Sequence, residues 1–254
     1  MRRFVEFLLE HPEVGVVSSD WELIDEAGNC LGVRDHPVKV VTPGLEYIEH
    51  TIRSGRSSVG VPGAMIRRAA LNGIRFDEQG HLGFGDFVVW FQVAERWQIG
   101  HIGQRLWRWR QHRQSQSART IESLTRDYEE NLHTYFAGHL RRWPDHVALV
   151  ERWQQASKQY LFWALAYEVG LHFRREQQGL SHGRRRRTLF ELMEYQLTEE
   201  EFRRALQQMH KYCDGIVQSC VLWTIHAMIR TRMTAPLAWT TKYQTMFRYV
   251  IGLR

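Results

Sequence analysis

Apolar and charged residues interleave over Met1 to Glu10, where Phe4, Val5, Phe7, Leu8 and Leu9 alternate with Arg2, Arg3, Glu6 and Glu10, predicting an amphipathic helix. His11-Pro12-Glu13 ends it, because the proline ring disfavours a helical residue before it. Val14 to Ser19 then reads as a short buried strand, Asp25 to Asn29 as a turn, and Cys30 to Val33 as a second strand. Pro43 opens a helix through Leu45, Ile48 and Ile52. Ser57 to Ile66 reads as extended and glycine-rich, and Arg67 to Leu71 as one or two helical turns before Asn72-Gly73. A further helix begins at Asp86, with Phe87, Trp90, Phe91, Ala94 and Trp97 at the i, i+3, i+4, i+7 spacing that turns one stripe to a core. Ile99 to Ile102 predicts a strand returning toward Leu106 and Trp107. Strands separated by helices predict a layered α/β unit.

Beyond Gln114-Ser115-Gln116-Ser117 the period becomes helical throughout. Helices are expected over Ile121 to Arg142, Asp145 to Gln177, Thr198 to Thr231 and Leu237 to Leu253, with Pro144, Ser181-His182-Gly183 and Pro236 as breaks. Thr198 with Glu201 three residues on matches a capping box. The expected division is an α/β part over residues 1–119 and an all-α extension, a small bundle, over residues 120–254.

Composition narrows the class without naming a function. The 254 residues, 43% hydrophobic and 24% charged, suffice for one large domain or two small ones and exclude a disordered chain. Positive charge sits in the second half: the balance is +1 up to Arg119 and +5 beyond it, making up the net +6. Most of it is arginine, whose planar fork suits phosphate and carboxylate. Phospholipid headgroups, sugar nucleotides and nucleic acid all satisfy that preference, but no nucleic-acid-binding motif accompanies the charge, so nucleic acid is not expected.

Of the three cysteines, Cys213 and Cys220 would lie roughly 10 Å apart along one helix, too far to bridge, which fits a reducing compartment. Glu6 and Glu10 interrupt what would otherwise begin like a signal peptide. Ile216 to Ile229 contains Gln218 and His226 and is too short to span a bilayer. No transmembrane segment is expected. The expected location is the cytoplasm, including peripheral contact with the inner face of the membrane. Met193, Met209 and Met228 read as core filler, and Tyr160, Phe162, Trp163 and Tyr167 as helix packing. His133, His139 and His146 carry no zinc-site spacing.

Five segments carry a resemblance when taken in order. They are His11 to Asp20 followed by Ile24 to Gly28; Val61-Pro62-Gly63-Ala64-Met65-Ile66-Arg67-Arg68; Phe76-Asp77-Glu78; Gly85 to Gln92; and Trp107-Arg108-Trp109-Arg110-Gln111-His112. This order resembles the C-terminal half of a family 2 glycosyltransferase catalytic domain. The resemblance implies a partial GT-A-like (Rossmann-like) unit that transfers a sugar from a nucleotide-sugar donor to a saccharide or lipid-linked acceptor. It implies Asp86 as the base that takes the acceptor hydroxyl proton, with Arg67, Trp90 and Arg110 binding substrate. His112, in the arrangement Arg-x-His, would ligate a divalent cation, Mg or Mn, near the diphosphate, with Arg110 pairing with phosphate. Gln92 stands where family members often carry arginine.

Aspartate ahead of a helix is also a preferred N-cap, and that role is compatible with a base. The chain contains no D-x-D motif, the family's metal-binding pair, and the resemblance begins after the sugar-nucleotide half. The chain is therefore expected to be a fragment, one part of a split enzyme or a remnant, truncated or inactive alone. The alternative reading is a non-catalytic interaction protein whose basic helical half, with Arg184 to Arg187, binds an acidic partner or membrane surface. Convergence of Asp86 and His112 on one cleft would favour the first; a continuous arginine-rich face on the second half would favour the alternative.

Overall fold

One strand organises the first part of the chain. A computed structural model describes residues 1–35, 39–74, 85–110, 121–178 and 199–231. Outside these lie Phe76 to Glu78, His112, the Gln114 to Ser117 linker, Arg184 to Arg187, Met193, Thr198 and the expected last helix at Leu237 to Leu253. Two compact units result: residues of Met1–Ala118 with Asp127–Pro144, and residues of Arg119–Arg126 with Asp145–Arg254.

In the first unit, β1 (Val14–Ile24) is buried at every position except half-buried Glu22. Burial on both faces is what a central strand with a parallel neighbour shows. That neighbour is β5 (Gln98–Arg110), running parallel along one side. On the other side β4 (Ala64–Ile66) pairs antiparallel near the start of β1, and β2 (Cys30–Arg34) near its end. β3 (Val41–Thr42) closes the far side of β5, giving the order β2-β1-β5-β3 in a mixed sheet.

The helices pack as their apolar stripes dictate. α1 (Arg2–Glu10) buries Phe4 and Leu8 against Val14 and Val17. α2 (Gly44–Ser54) buries Tyr47, Ile48 and Ile52 and ends at Gly55, whose φ of 60° is the left-handed conformation glycine adopts without a Cβ penalty. α3 (Gly85–Ala94) buries Val89, Trp90, Phe91 and Val93. α4 (Ile121–Arg142) contributes Tyr128, Leu132, Tyr135 and Phe136 to the same unit, with Tyr135 5.1 Å from the Phe91 ring.

Tyr128 also donates its hydroxyl to the Ile52 carbonyl at 3.0 Å, in the last turn of α2, where carbonyls lack helical partners. Tyr128→Phe keeps the ring and removes that bond. Urea unfolding should show a loss of about 1 kcal/mol, against several for Tyr128→Ala.

The α/β pattern holds, with five local differences from expectation. β1 continues five residues past Ser19, and β5 continues past Ile102 to Arg110. Ser57 to Ile66 is not extended throughout: a 3-10 turn occupies Val61–Gly63 and only Ala64–Ile66 is strand. Asp86 lies inside the first turn of α3 rather than ahead of it, and Trp97 lies beyond the helix end. Arg67 to Leu71 forms the expected short turn, as a 3-10 helix over Arg68–Leu71.

The second unit is helical, but the single helix expected over Thr198 to Thr231 is two over its described residues, broken at Tyr212 to Gly215, where the Gln218 side chain takes up the Asp214 N–H. α5 (Val147–Gln178) buries Val150, Trp153, Leu161, Phe162 and Leu165. α6 (Glu199–Lys211) buries Ala205, Leu206 and Met209, and α7 (Ile216–Thr231) buries Val221, Leu222 and Ile225. The turn between α6 and α7 is fixed by Gln218, whose side-chain oxygen accepts the Asp214 N–H at 2.7 Å. Gln155 donates to the Asp214 carboxylate from α5. Thr125 donates to Gln208 at 3.0 Å. All three cysteines are free thiols. Among the described residues no helix is long and apolar enough to cross a membrane.

Candidate functional site

Asp86 stands in the first turn of α3, half-buried. Burial pushes its carboxyl above the ordinary value, while the backbone N–H groups of Asp86 and Phe87 and the Trp90 side chain, one turn on, pull it back. Desolvation therefore wins, and the group holds a proton more readily than a solvated aspartate does. Trp90 is 2% exposed, so its indole is a core group, one helical turn from the carboxylate. Tyr47 of α2 lies within electrostatic reach: burial raises its phenol well above the usual range, and the Asp86 charge adds to the effect.

Tyr47 is the near end of a polar chain running into the sheet. Its hydroxyl meets Ser57 Oγ at 2.7 Å, and Ser57 bonds both the carbonyl and the N–H of Val59 at 2.9 Å. The adjacent Ser58 carbonyl accepts from Ser18 Oγ of β1 at 2.6 Å. Ser18 Oγ lies 3.3 Å from His101 Nδ1 of β5, and His101 Nε2 lies 2.9 Å from Asp20 Oδ1 of β1. Ser18, Asp20 and His101 are all buried.

The side-chain types match a Ser-His-Asp triad, but the hydrogen bonding does not. Ser18 gives its only proton to Ser58, so toward His101 it can only accept. A serine with no exposed surface and an oxygen committed in this way is no nucleophile. The network instead joins β1 to β5 and pins the loop at residues 57–59. Nothing in the sequence reading drew attention to it; the available signal was a Ser-Ser-Asp run and a lone histidine inside otherwise apolar strands.

The other expected site residues lie on different supports. Arg67 donates to the carbonyls of Val14 at 3.1 Å, Leu8 at 2.6 Å and His11 at 3.3 Å, and its guanidinium lies 5.9 Å from the Trp97 ring. It thereby takes up orphan carbonyls at the C-terminal end of α1. Arg110 Nη1 donates to the carbonyls of Asp25 and Glu26 at 3.0 and 2.7 Å, bracing the β1–β2 turn. Asp86 and Trp90 are thus brought together, and the hydrogen bonds shown for Arg67 and Arg110 go to main chain.

The basic-aromatic segment is strand as far as Arg110, with its arginines exposed. Arg105 makes a two-pronged bond to Asp35 at 2.8 and 2.7 Å, and Arg108 bonds Glu22 at 3.0 Å. Its tryptophans pack on Trp21 of β1, Trp107 tilted with centroids 5.3 Å apart and Trp109 edge-on at 5.2 Å. The Val61–Gly63 turn passes directly over Trp107: a Cβ on Gly63 would sit 1.8 Å from the indole Nε1, so only glycine fits. Two segments of the resemblance are in contact there.

Among the described residues, no three His, Cys, Asp or Glu side chains come together in a way that could hold a metal ion. In comparisons with known proteins, the chain matches no family model, no curated protein and no solved structure.

Proposed function

We propose that the first unit is a partial GT-A-like unit, the acceptor-side half of a family 2-like glycosyltransferase, with Asp86 as its base. In the proposed step an acceptor hydroxyl oxygen forms a bond to the anomeric carbon of a nucleotide sugar. The bond from that carbon to the diphosphate oxygen breaks, the nucleoside diphosphate leaves, and Asp86 takes the hydroxyl proton. The acceptor is a saccharide or a lipid-linked sugar.

The observation carrying this reading is the Asp86 carboxyl itself, half-buried in a helix's first turn and raised in proton affinity by burial. A base works best when its proton affinity approaches the working pH, and an ordinary aspartate falls well short of that. The element order from β1 through β5 is compatible with the resemblance. Arg67 and Arg110 stand at opposite ends of β1, beside Val14 and Ile24, and keep their main-chain bracing roles; the proposed step does not draw on them. His112 and a divalent cation belong to the same reading, and no step is routed through them.

The test offers the full chain a panel of nucleotide sugars, saccharide and lipid-linked acceptors and Mg2+ or Mn2+, beside Asp86→Asn. Because the chain carries no D-x-D motif, the expected result is transfer when a separate family 2 donor-binding half bearing that motif is supplied with it, and a loss of about 100-fold or more in the variant, the typical contribution of a positioned base. Equal rates for both proteins sink the assignment of Asp86. No transfer with any pair, together with binding to anionic vesicles, points to the interaction-protein reading instead.

A further inference from the structure

We propose that His210 and His226 form a two-histidine site for a divalent transition-metal ion on the surface of the helical unit. His210 lies in the last turn of α6 and His226 in α7, sixteen residues on, and both are exposed. Their Nε2 atoms are 3.0 Å apart, with ring centroids 5.2 Å apart and planes inclined by 33°. Each is anchored by a buried neighbour, Met209 before His210 and Ile225 before His226. The Gln218 bond to the Asp214 N–H fixes the turn between the two helices. The backbone is thus committed, while the exposed rings can turn.

Imidazole nitrogens bind such ions at about 2.0–2.1 Å. Two nitrogens 3.0 Å apart then subtend roughly 90–95° at the ion, the angle between adjacent ligands of a square plane or octahedron. Copper(II) and nickel(II) fit that spacing; tetrahedral zinc needs the pair to open by a few tenths of an ångström. Without metal, one ring donates its Nε2 proton to the other's Nε2. On binding, the donor ring carries that proton on Nδ1 instead, and both Nε2 lone pairs turn to the ion. The net charge of the rings does not change, and water fills the remaining positions. Two protein ligands leave the ion open to an outside ligand, unlike a closed structural site.

The experiment titrates the full chain, free of any histidine tag, with Cu2+, Ni2+ or Zn2+ alone, followed by calorimetry and, for copper, by electron paramagnetic resonance. One equivalent of copper should bind with a two-nitrogen spectrum. His210→Asn and His226→Asn should each weaken binding at least tenfold and leave one nitrogen, with circular dichroism confirming the fold. The exposed His133→Asn should change nothing. Unaltered affinity in both variants, or no equivalent bound by the native chain, overturns the site and leaves the pair as a simple hydrogen bond.

Discussion

Replacing Glu95 by glutamine should lower the stability of the first unit by roughly 2–3 kcal/mol at neutral pH, and that gap should close as the solution is acidified. Glu95 directly follows α3, and its side chain is 1% exposed. Four donors converge on its two oxygens: His139 Nδ1 at 2.7 Å, Arg142 Nε and Nη2 at 2.9 and 2.7 Å, and Trp143 Nε1 at 3.3 Å. Burial pushes this carboxyl up, but the hydrogen bonds from His139 and Arg142, with the charges behind them, outweigh it and bring it down to about 2 from 4.5. The difference corresponds to about 3 kcal/mol, trimmed because Arg142 is a third exposed and partly screened.

The sign follows from the direction of that shift. A carboxyl whose proton affinity is depressed by folding stabilises the fold fully above its unfolded value, and the stability is lost as pH falls through its folded value. The native chain should therefore weaken between pH 4.5 and about 2 from this group, while Glu95→Gln passes through the same window without that loss. Glu95→Ala should cost more, about 3–5 kcal/mol, since it strands the buried His139 donor, takes the carboxylate from Arg142 and empties the site. Urea midpoints of the three proteins at pH 7 and pH 3 decide it: equal gaps between native and Glu95→Gln at both pH values would falsify the charge-based account.

The same cluster shows where the sequence stops being legible. The period of apolar residues was enough to place α1 to α5, but it ran α6 and α7 together across Tyr212 to Gly215, a break made by the Gln218 bond to the Asp214 N–H rather than by any change of period. It was not enough to find the ends of β1 and β5. Ser18, Ser19 and Asp20 break the apolar run of β1, yet they stay inside the sheet because His101 and Ser58 satisfy Asp20 and Ser18 from 81 and 40 residues away. Arg105, Arg108 and Arg110 stay exposed within β5, and their partners Asp35, Glu22 and the turn carbonyls of Asp25 and Glu26 lie 70 or more residues away, beyond the reach of a local pattern.

A one-dimensional pattern scores polarity but not distant partners, so buried polar pairs vanish from it. Glu95 and His139 escaped notice for that reason, 44 residues apart and each unremarkable alone. Within the candidate site, Asp86 and Trp90 were legible because their contact is one helical turn long. Arg67 was not, because its hydrogen bonds reach back to Leu8, His11 and Val14.

The second large effect should come from a single methyl group: Gly44→Ala is expected to destabilise the first unit by about 3 kcal/mol or more. Gly44 opens α2, and a Cβ there would lie 1.7 Å from the Ala94 carbonyl oxygen and 2.6 Å from the Trp97 oxygen. Both are backbone atoms, so no rotamer change relieves the clash; α2 or the turn from α3 into β5 must move. Gly85, at the opposite end of α3 and beside Asp86, has nothing within 4 Å of its would-be Cβ. Gly85→Ala should be neutral or stabilising by up to about 1 kcal/mol, because alanine is the better helix former. Denaturant midpoints for the two variants separate a steric cause from a general intolerance of alanine in α3 and α2. A Gly44→Ala loss below about 1 kcal/mol contradicts the close approach of the helices. Gly44 meets α3 at the end where Glu95 is held, so displacing that end already loosens the Glu95 cluster. Combining Gly44→Ala with Glu95→Gln should then cost less than the sum of the two, the mark of a shared structural element.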